Sequence, residues 1–227
     1  MMSLYLPIIA VIIGFLIALG INSLTKHLKL LLAFSGGFLL AVTVINLLPE
    51  IYHTHDVKVG IFILLGIILQ LILEFFSKGA EHGHVHLDKD TKAFPLMLFV
   101  SLSIHSFFEG FPTHEHPQLL LGIIVHKVPI AIIISSFLLR SHLSKVKIYL
   151  FLALFSIMTP LGSLVHILFE NDLANIKIWI EAIVVGILLH IASTILFETS
   201  KEHKFDSLKF LSILLGMTLA LGITFIG

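Results

Sequence analysis

The sequence has no cysteine among its 227 residues, which excludes disulfides and thiolate metal sites. It also has little charge, because Asp, Glu, Lys and Arg make up 12% of the chain, where a soluble domain carries about a quarter. The formal net charge is zero, which argues against a nucleic-acid partner held by phosphate neutralisation. With 57% hydrophobic residues, the composition instead indicates a protein that lies in a lipid bilayer.

Histidine is unusually common. The chain has 14 histidines, as many as its lysines and arginines together. Imidazole nitrogens are good ligands for soft or borderline divalent cations. In a bilayer protein, this number of nitrogen donors suggests a divalent metal ion as a partner.

Cutting the chain at its charge clusters leaves eight apolar segments, each of 18 to 22 residues. A helix needs about 20 residues to cross the hydrocarbon layer, so each segment predicts a transmembrane helix. We therefore expect residues 1–227 to form one all-α transmembrane domain, with a His-containing inside loop at 77–93. The predicted spans are 4–24, 28–48, 59–76, 94–111, 119–139, 148–169, 178–197 and 208–226.

Lysine and arginine are distributed unevenly over the connections between these spans. If both termini lie outside, the inside connections hold 11 of these residues and the outside connections hold 2. Because cytoplasmic connections carry the excess of positive charge, the sequence predicts that both termini lie on the outer side. The short connections suggest a bacterial inner membrane.

A short internal repeat links the second and seventh spans. Residues 37–40 read GFLL and lead to LPE at 48–50, while residues 186–189 read GILL and lead to LFE at 196–198. These two spans run in opposite directions across the predicted bilayer. Inverted repeats of this kind are typical of transporters, which hold their substrate between the repeats.

Ionisable side chains occur inside two consecutive apolar spans. His105 and Glu109 lie at positions i and i+4 of the fourth span, so they share one helix face, and His126 lies near the middle of the fifth. Such groups cost several kcal/mol or more in a bilayer unless they are paired or solvated, which favours a functional interpretation. Three ligands and a water satisfy a four-coordinate ion such as zinc. The alternative is that both histidines are ordinary polar packing residues.

The same residues carry a resemblance to a known family. The segments HSFFEG at 105–110 and HKVP at 126–129 closely resemble the helix 4 and helix 5 motifs of the ZIP (Zrt/Irt-like) metal transporters. NLLPE at 46–50 and TPLG at 159–162 also resemble family positions. The resemblance covers most of the chain.

This resemblance implies a 3+2+3 arrangement of eight helices, in which spans 1–3 and 6–8 are related by inversion. It implies that a divalent ion, zinc first and iron, manganese or cadmium as alternatives, passes toward the cytosol between helices 4 and 5. His105, Glu109 and His126 correspond to the family's first-site ligands. Ser106 and Lys127 correspond to positions that help form a second site in members with two metals.

Two positions depart from the family pattern. Ile130 stands where the family commonly has a bridging glutamate, and Lys127 places a cation at the second-site position. Both differences favour a site for one ion rather than two. The lysine ammonium is expected to lie near Glu109, in the place of a second ion.

Other polar groups have weaker interpretations. In the inside loop, His82, His84 and His86 form either a weak zinc-binding segment or a solvated linker. The outside segments 53–56 and 112–117 contain further histidines and acids, which either concentrate cations or are plain loop residues. Glu74 and Glu181 lie near span ends, where we expect them to reach water.

The function that this pattern favours is transport of a divalent metal ion, with no enzymatic activity and no cofactor. One alternative is an intramembrane zinc hydrolase, although the chain lacks the H-E-x-x-H arrangement of zinc ligands and base. Another is a family member that binds metal without transporting it. The expected partners are the metal ion and the lipid bilayer, with a homodimer as a further possibility.

Overall fold

The computed structural model of the chain describes residues 1–20, 26–53, 56–80, 94–197 and 206–226. Every regular element in these ranges is helical. The α-helices are α1 (Met2–Gly20), α2 (Lys26–Val42), α3 (Leu48–Tyr52), α4 (Lys58–Ser77), α5 (Leu96–Gly110), α6 (Pro117–Arg140), α7 (Lys145–Leu168), α8 (Glu170–Leu173), α9 (Lys177–Phe197) and α10 (Ser207–Ile226).

Within the described ranges, seven helical stretches are long and apolar enough to cross a membrane. They correspond to seven of the eight predicted spans. They are α1, the continuous stretch His27–Tyr52 that includes α2 and α3, α4, α6, α7, α9 and α10.

The fourth predicted span is shorter than expected. It is α5, which has 15 residues and measures about 22 Å at 1.5 Å per residue, less than the roughly 30 Å of hydrocarbon. Two prolines explain its limits, because Pro95 precedes its first turn and Pro112 lacks the N–H needed to continue it. The chain continues directly into a 3₁₀ turn, Phe111–His114.

A π-helical segment, Thr43–Leu47, separates α2 from α3. The Thr43 hydroxyl donates to the Leu39 carbonyl at 2.7 Å, and Thr224 of α10 donates to Asn46 Oδ1 at 3.3 Å. Wide turns of this kind re-aim side chains within an otherwise regular helix, and the apolar pattern of the second span does not reveal them.

Four pairs of helices pack most extensively against each other. α1 packs against α6, α5 against α7, α2 against α10, and α4 against α9. The helix α6 lies at the centre, since 78% of its apolar stretch is buried, against 28% for α4 and 17% for α10. The large exposed apolar residues on α1, α4 and α10 therefore form the lipid-facing surface, and α6 presents its residues to the interior.

Reciprocal glycines bring three of these pairs into close backbone contact. A Cβ on Gly110 of α5 would overlap the carbonyl of Thr159 on α7, and a Cβ on Gly162 of α7 would overlap the carbonyl of Phe107 on α5. Small residues allow such close approach of membrane helices. The α4–α9 and α2–α10 pairs repeat this arrangement through Gly66 with Gly186 and Gly37 with Gly216.

We predict that Gly110→Ala lowers the free energy of unfolding by about 1–3 kcal/mol, because the added methyl group forces α5 away from α7. Gly222→Ala is the matched control, since a Cβ at Gly222 has no neighbour within 4 Å among the described residues. Unfolding of the purified protein in mixed micelles measures both variants. Equal stability of the two variants would contradict the prediction.

Candidate metal site between α5 and α6

The fourth and fifth predicted spans place their ionisable side chains in the protein interior. His105 and Glu109 are 4% and 2% exposed, and they lie one turn apart on α5. His105 Nε2 is 3.2 Å from Glu109 Oε2, as the i,i+4 spacing predicted. The other ring nitrogen of His105, Nδ1, is buried and has no hydrogen-bond partner among the described residues.

Lys127 of α6 forms a buried ion pair with Glu109 Oε1, the contact that the sequence predicted. Its ammonium also donates to Ser106 Oγ at 3.2 Å and lies 4.9 Å from the centre of the Phe155 ring. Lys127 is 3% exposed, so this charge depends on its protein partners rather than on water. Ser106, predicted as a second-site position, therefore binds the lysine.

Thr159 of α7 is a further partner of the carboxylate. Its hydroxyl donates to Glu109 Oε1 at 2.8 Å, and its side chain is fully buried. The backbone of Thr159 is the same one that packs against Gly110, so the close helix contact brings this hydroxyl to the carboxylate. TPLG at 159–162 resembles a family segment, but nothing in the local sequence indicates the contact between Thr159 and Glu109.

His126 is buried on α6, and Ser35 of α2 orients it. Ser35 Oγ lies 3.3 Å from His126 Nδ1 and donates its hydrogen to the Leu32 carbonyl at 2.8 Å. Because the hydroxyl has only one hydrogen, Ser35 Oγ is available to accept from Nδ1–H of His126, and in that tautomer the lone pair of the imidazole is on Nε2. This tautomer presents Nε2 as a potential metal ligand. No local sequence pattern indicates Ser35 as a partner of His126.

These groups line one small cavity. His105, Ser106, Glu109, His126 and Lys127 form its polar wall. Three apolar side chains, Leu102, Ile130 and Phe155, complete it. Ile130 thus lies at the cavity, at the position where the family pattern has a glutamate.

The three predicted ligands do not yet surround a common point. Among the described residues, a different group has this geometry. The ligand atoms of Glu115, His116 and Glu181 all lie within 4.8 Å of one another. In the cavity, Glu109 is held by Lys127, Thr159 and His105, and His126 is held toward Ser35. Closure around an ion therefore requires Glu109 to exchange at least part of its contact with Lys127.

The second cluster lies where the α5–α6 connection meets the start of α9. Glu181 is only 5% exposed, so the expectation that it reaches water is wrong. The reason is that the connection, with Glu115 and His116, covers the first turn of α9. Burial lowers the pKa of His116 despite the opposing effect of Glu50. For Glu115, burial raises the pKa, but hydrogen bonds from Lys177 and His166 outweigh it and leave the pKa lowered.

The other predicted positions that the structure describes are separate from the cavity. Glu74 of α4 is half-buried and lies 2.7 Å from His190 Nε2 of α9. His53 is exposed at the end of α3, and His114 is exposed in the 3₁₀ turn. His82, His84 and His86, with the rest of segment 81–93, lie outside the described residues, as does His55.

Three curated proteins are similar to the chain. A protein named Zinc transporter ZIP1 from Danio rerio is 30% identical over 166 residues, which cover 66% of this chain and 54% of that protein. Another Zinc transporter ZIP1, from Takifugu rubripes, is 28% identical and covers 66% and 53%. Protein zntD from Dictyostelium discoideum is 24% identical and covers 61% and 23%. The chain thus spans about half the length of the first two relatives.

The family comparison agrees with these relatives and covers the site. A sequence model described as ZIP Zinc transporter matches residues 80–224, a range that includes α5, α6 and α7 and therefore the whole buried arrangement of His105, Glu109 and His126. The range is more than half of the chain. The chain belongs to the ZIP zinc transporter family.

Proposed function

We propose that the protein transports divalent metal ions, zinc first, across a membrane toward the cytosol, through a site for one ion formed by His105, Glu109 and His126. The observation that carries the proposal is the buried arrangement of two imidazoles and a carboxylate on α5 and α6. His105 Nε2 and Glu109 Oε2 lie 3.2 Å apart, so a cation that takes the place of the hydrogen between them has both groups as ligands, and Ser35 holds His126 through Nδ1. The names of the fish relatives support zinc as the substrate.

Helix packing supports the 3+2+3 arrangement. We take α5, continued by its 3₁₀ turn, as the short fourth span, and α9 and α10 as the seventh and eighth. If spans 1–3 are superposed on spans 6–8 and span 4 on span 5, the α1–α6 contact corresponds to α7–α5. The α2–α10 contact then corresponds to α9–α4. Gly37 and Gly186, the paired positions of the sequence repeat, each pack against a carbonyl of the partner helix.

The charge of the cavity supports a single ion. Glu109 and Lys127 neutralise each other, so an arriving divalent ion must compete with the ammonium for the carboxylate. Ser106, already 3.2 Å from the ammonium, accepts it when Glu109 turns to the metal. A second divalent ion beside Lys127 is repelled by the lysine charge, which a low-dielectric interior screens poorly. The same repulsion favours release of the first ion, which a transport site requires.

Orientation and location follow from the sequence. The excess of lysine and arginine in alternate connections supports an orientation with both termini outside, and the family resemblance supports transport toward the cytosol. Iron, manganese and cadmium are alternative substrates, because nitrogen and oxygen ligands also bind them. The bacterial inner membrane stays a prediction from short connections, and the three named relatives come from eukaryotes. The homodimer also stays a prediction.

Uptake of radiolabelled zinc by proteoliposomes tests transport. We expect flux in the wild type and at least about a tenfold loss in His105→Ala and in Glu109→Gln, because each removes a ligand from the cavity. His142→Ala, which alters an exposed histidine between α6 and α7, is the matched control and retains wild-type flux. Binding without flux in the wild type would indicate a non-transporting family member, and metal-dependent peptide cleavage would indicate a hydrolase.

Metal stoichiometry tests the one-ion site. We expect Lys127→Ala to raise zinc affinity by about tenfold or more, because the competing ammonium is gone. Adding Ile130→Glu supplies a second carboxylate to the cavity and is expected to let the chain bind one more zinc than the wild type. Lys145→Ala, at an exposed lysine, is the control for loss of positive charge. Unchanged affinity and stoichiometry in both variants would refute the role of Lys127.

Orientation is testable because the chain has no cysteine. Single cysteines introduced at Asn175, between α8 and α9, and at His142, between α6 and α7, both occupy exposed positions. In intact cells, a membrane-impermeant maleimide is expected to label Asn175→Cys at once, and His142→Cys only after permeabilisation. The opposite pattern would reverse the proposed orientation.

A further inference from the structure

We propose a second divalent-cation site, formed by Glu115, His116 and Glu181 at the end of the bundle where the α5–α6 connection meets α9. Their ligand atoms all lie within 4.8 Å of one another. One nitrogen and two carboxylate groups form a donor set suited to zinc and to similar borderline ions such as Co²⁺. This site is separate from the cavity of His105 and Glu109, and its existence does not depend on transport.

The backbone holds the first two ligands in place. Glu115 and His116 lie between the 3₁₀ turn and the first residue of α6, Pro117. The N–H of His116 donates to the Pro112 carbonyl at 3.2 Å, which closes the turn. His166 of α7 contacts Glu115 Oε1 through Nε2 at 3.0 Å and so orients the carboxylate. The third ligand, Glu181, lies on the rigid first turns of α9.

Two polar atoms of this cluster are buried without hydrogen-bond partners among the described residues. They are Oε1 of Glu181, whose residue is 5% exposed, and Nε2 of His116. The Lys177 ammonium is 3.8 Å from Glu181 Oε1, which is beyond hydrogen-bonding distance. Buried polar atoms are costly when unpaired, and a bound cation satisfies both of these at once.

The local charge matches a divalent ion. His116 Nε2 lies 3.7 Å from Glu50 Oε2, so Glu50 joins Glu115 and Glu181 as the third carboxylate around the cluster. Lys177 supplies one positive charge, through its ion pairs with Glu115 and Glu181. With the histidines neutral and all three carboxylates ionised, two negative charges remain in excess, and one divalent cation neutralises them.

Lys177 makes binding reversible. Its ammonium holds Glu115 and is 29% exposed, so it turns to water when a metal ion takes the carboxylates. Glu115 lies six positions after Glu109, which amounts to about 9–12 Å along α5 and the 3₁₀ turn. An ion bound at Glu115, His116 and Glu181 is therefore within a short step of the cavity. In the proposed orientation this end faces the outside, so the site captures ions before transport.

Cobalt binding to the purified protein tests the site. The background is His105→Ala with His126→Ala, which disables the cavity, and His82, His84 and His86 are also changed to alanine to remove the loop histidines. Equilibrium dialysis against Co²⁺ counts the ions. We expect this background to bind one Co²⁺ per chain, with the visible absorption of a four-coordinate ion. Adding Glu181→Gln or His116→Ala is expected to weaken binding at least tenfold. Glu170→Gln, an exposed carboxylate on nearby α8, is the matched control and leaves binding unchanged.

The chain has a single tryptophan, Trp179, which stacks on Phe62 with a ring-centre distance of 4.9 Å beside this cluster. Its fluorescence reports whether each variant keeps the local fold, so lost binding is not confused with misfolding. Undiminished Co²⁺ affinity in a folded Glu181→Gln variant, or no Co²⁺ bound in the background protein, would overturn the site.

Measurements of zinc flux distinguish the proposed capture site from the proposed transport function. In an otherwise wild-type chain, Glu181→Gln is expected to raise the KM for zinc severalfold and leave kcat unchanged, because capture fails while passage is intact. Loss of kcat in this variant would contradict a capture role. If the wild type shows no flux at all, the transport proposal fails, while the Co²⁺ measurement still decides the site.

Discussion

The buried ion pair between Lys127 and Glu109 is the constraint on which the rest of the site depends. A carboxylate in a low-dielectric interior requires compensation, and here an ammonium, a threonine hydroxyl and an imidazole supply it. Each compensating group comes from a different position in the bundle. Helices α5, α6 and α7 must therefore keep fixed distances and rotations, and the other helices support those three. Removing either charge leaves the other one buried and unpaired.

Close backbone packing provides much of this rigidity. Reciprocal glycines let α5 and α7 approach until the backbone carbonyl of Thr159 lies against Gly110, and this approach brings the Thr159 hydroxyl to Glu109. Reciprocal glycines also bring α4 close to α9 and α2 close to α10. Close-packed small residues and a charged cavity are thus parts of one arrangement, because a wider helix separation would leave the carboxylate short of a donor.

Local sequence patterns predicted the membrane spans and the contact between residues that are close together in the sequence. Seven of the spans and the His105–Glu109 contact follow from apolar length and helical spacing, and the approach of Lys127 to Glu109 was expected from the family resemblance. Contacts between distant segments were not predictable in this way. Ser35 lies 91 residues from His126 in sequence, and the burial of Glu181 depends on a connection from another helix pair. Prolines at both ends limit α5 to 15 residues, so apolar content alone overestimated the length of this helix.

Lys127 also has a consequence for selectivity among ions. Its ammonium is attached to the chain, so it competes for Glu109 at an effective concentration that dilution cannot change. A sodium or potassium ion offers the carboxylate one positive charge, which the tethered ammonium already provides with good hydrogen bonds. In the proposed function, a divalent ion offers twice that charge and also binds the imidazoles of His105 and His126. The ammonium of Lys127 thus sets a lower limit for binding, because only a cation with a higher affinity for Glu109 displaces it.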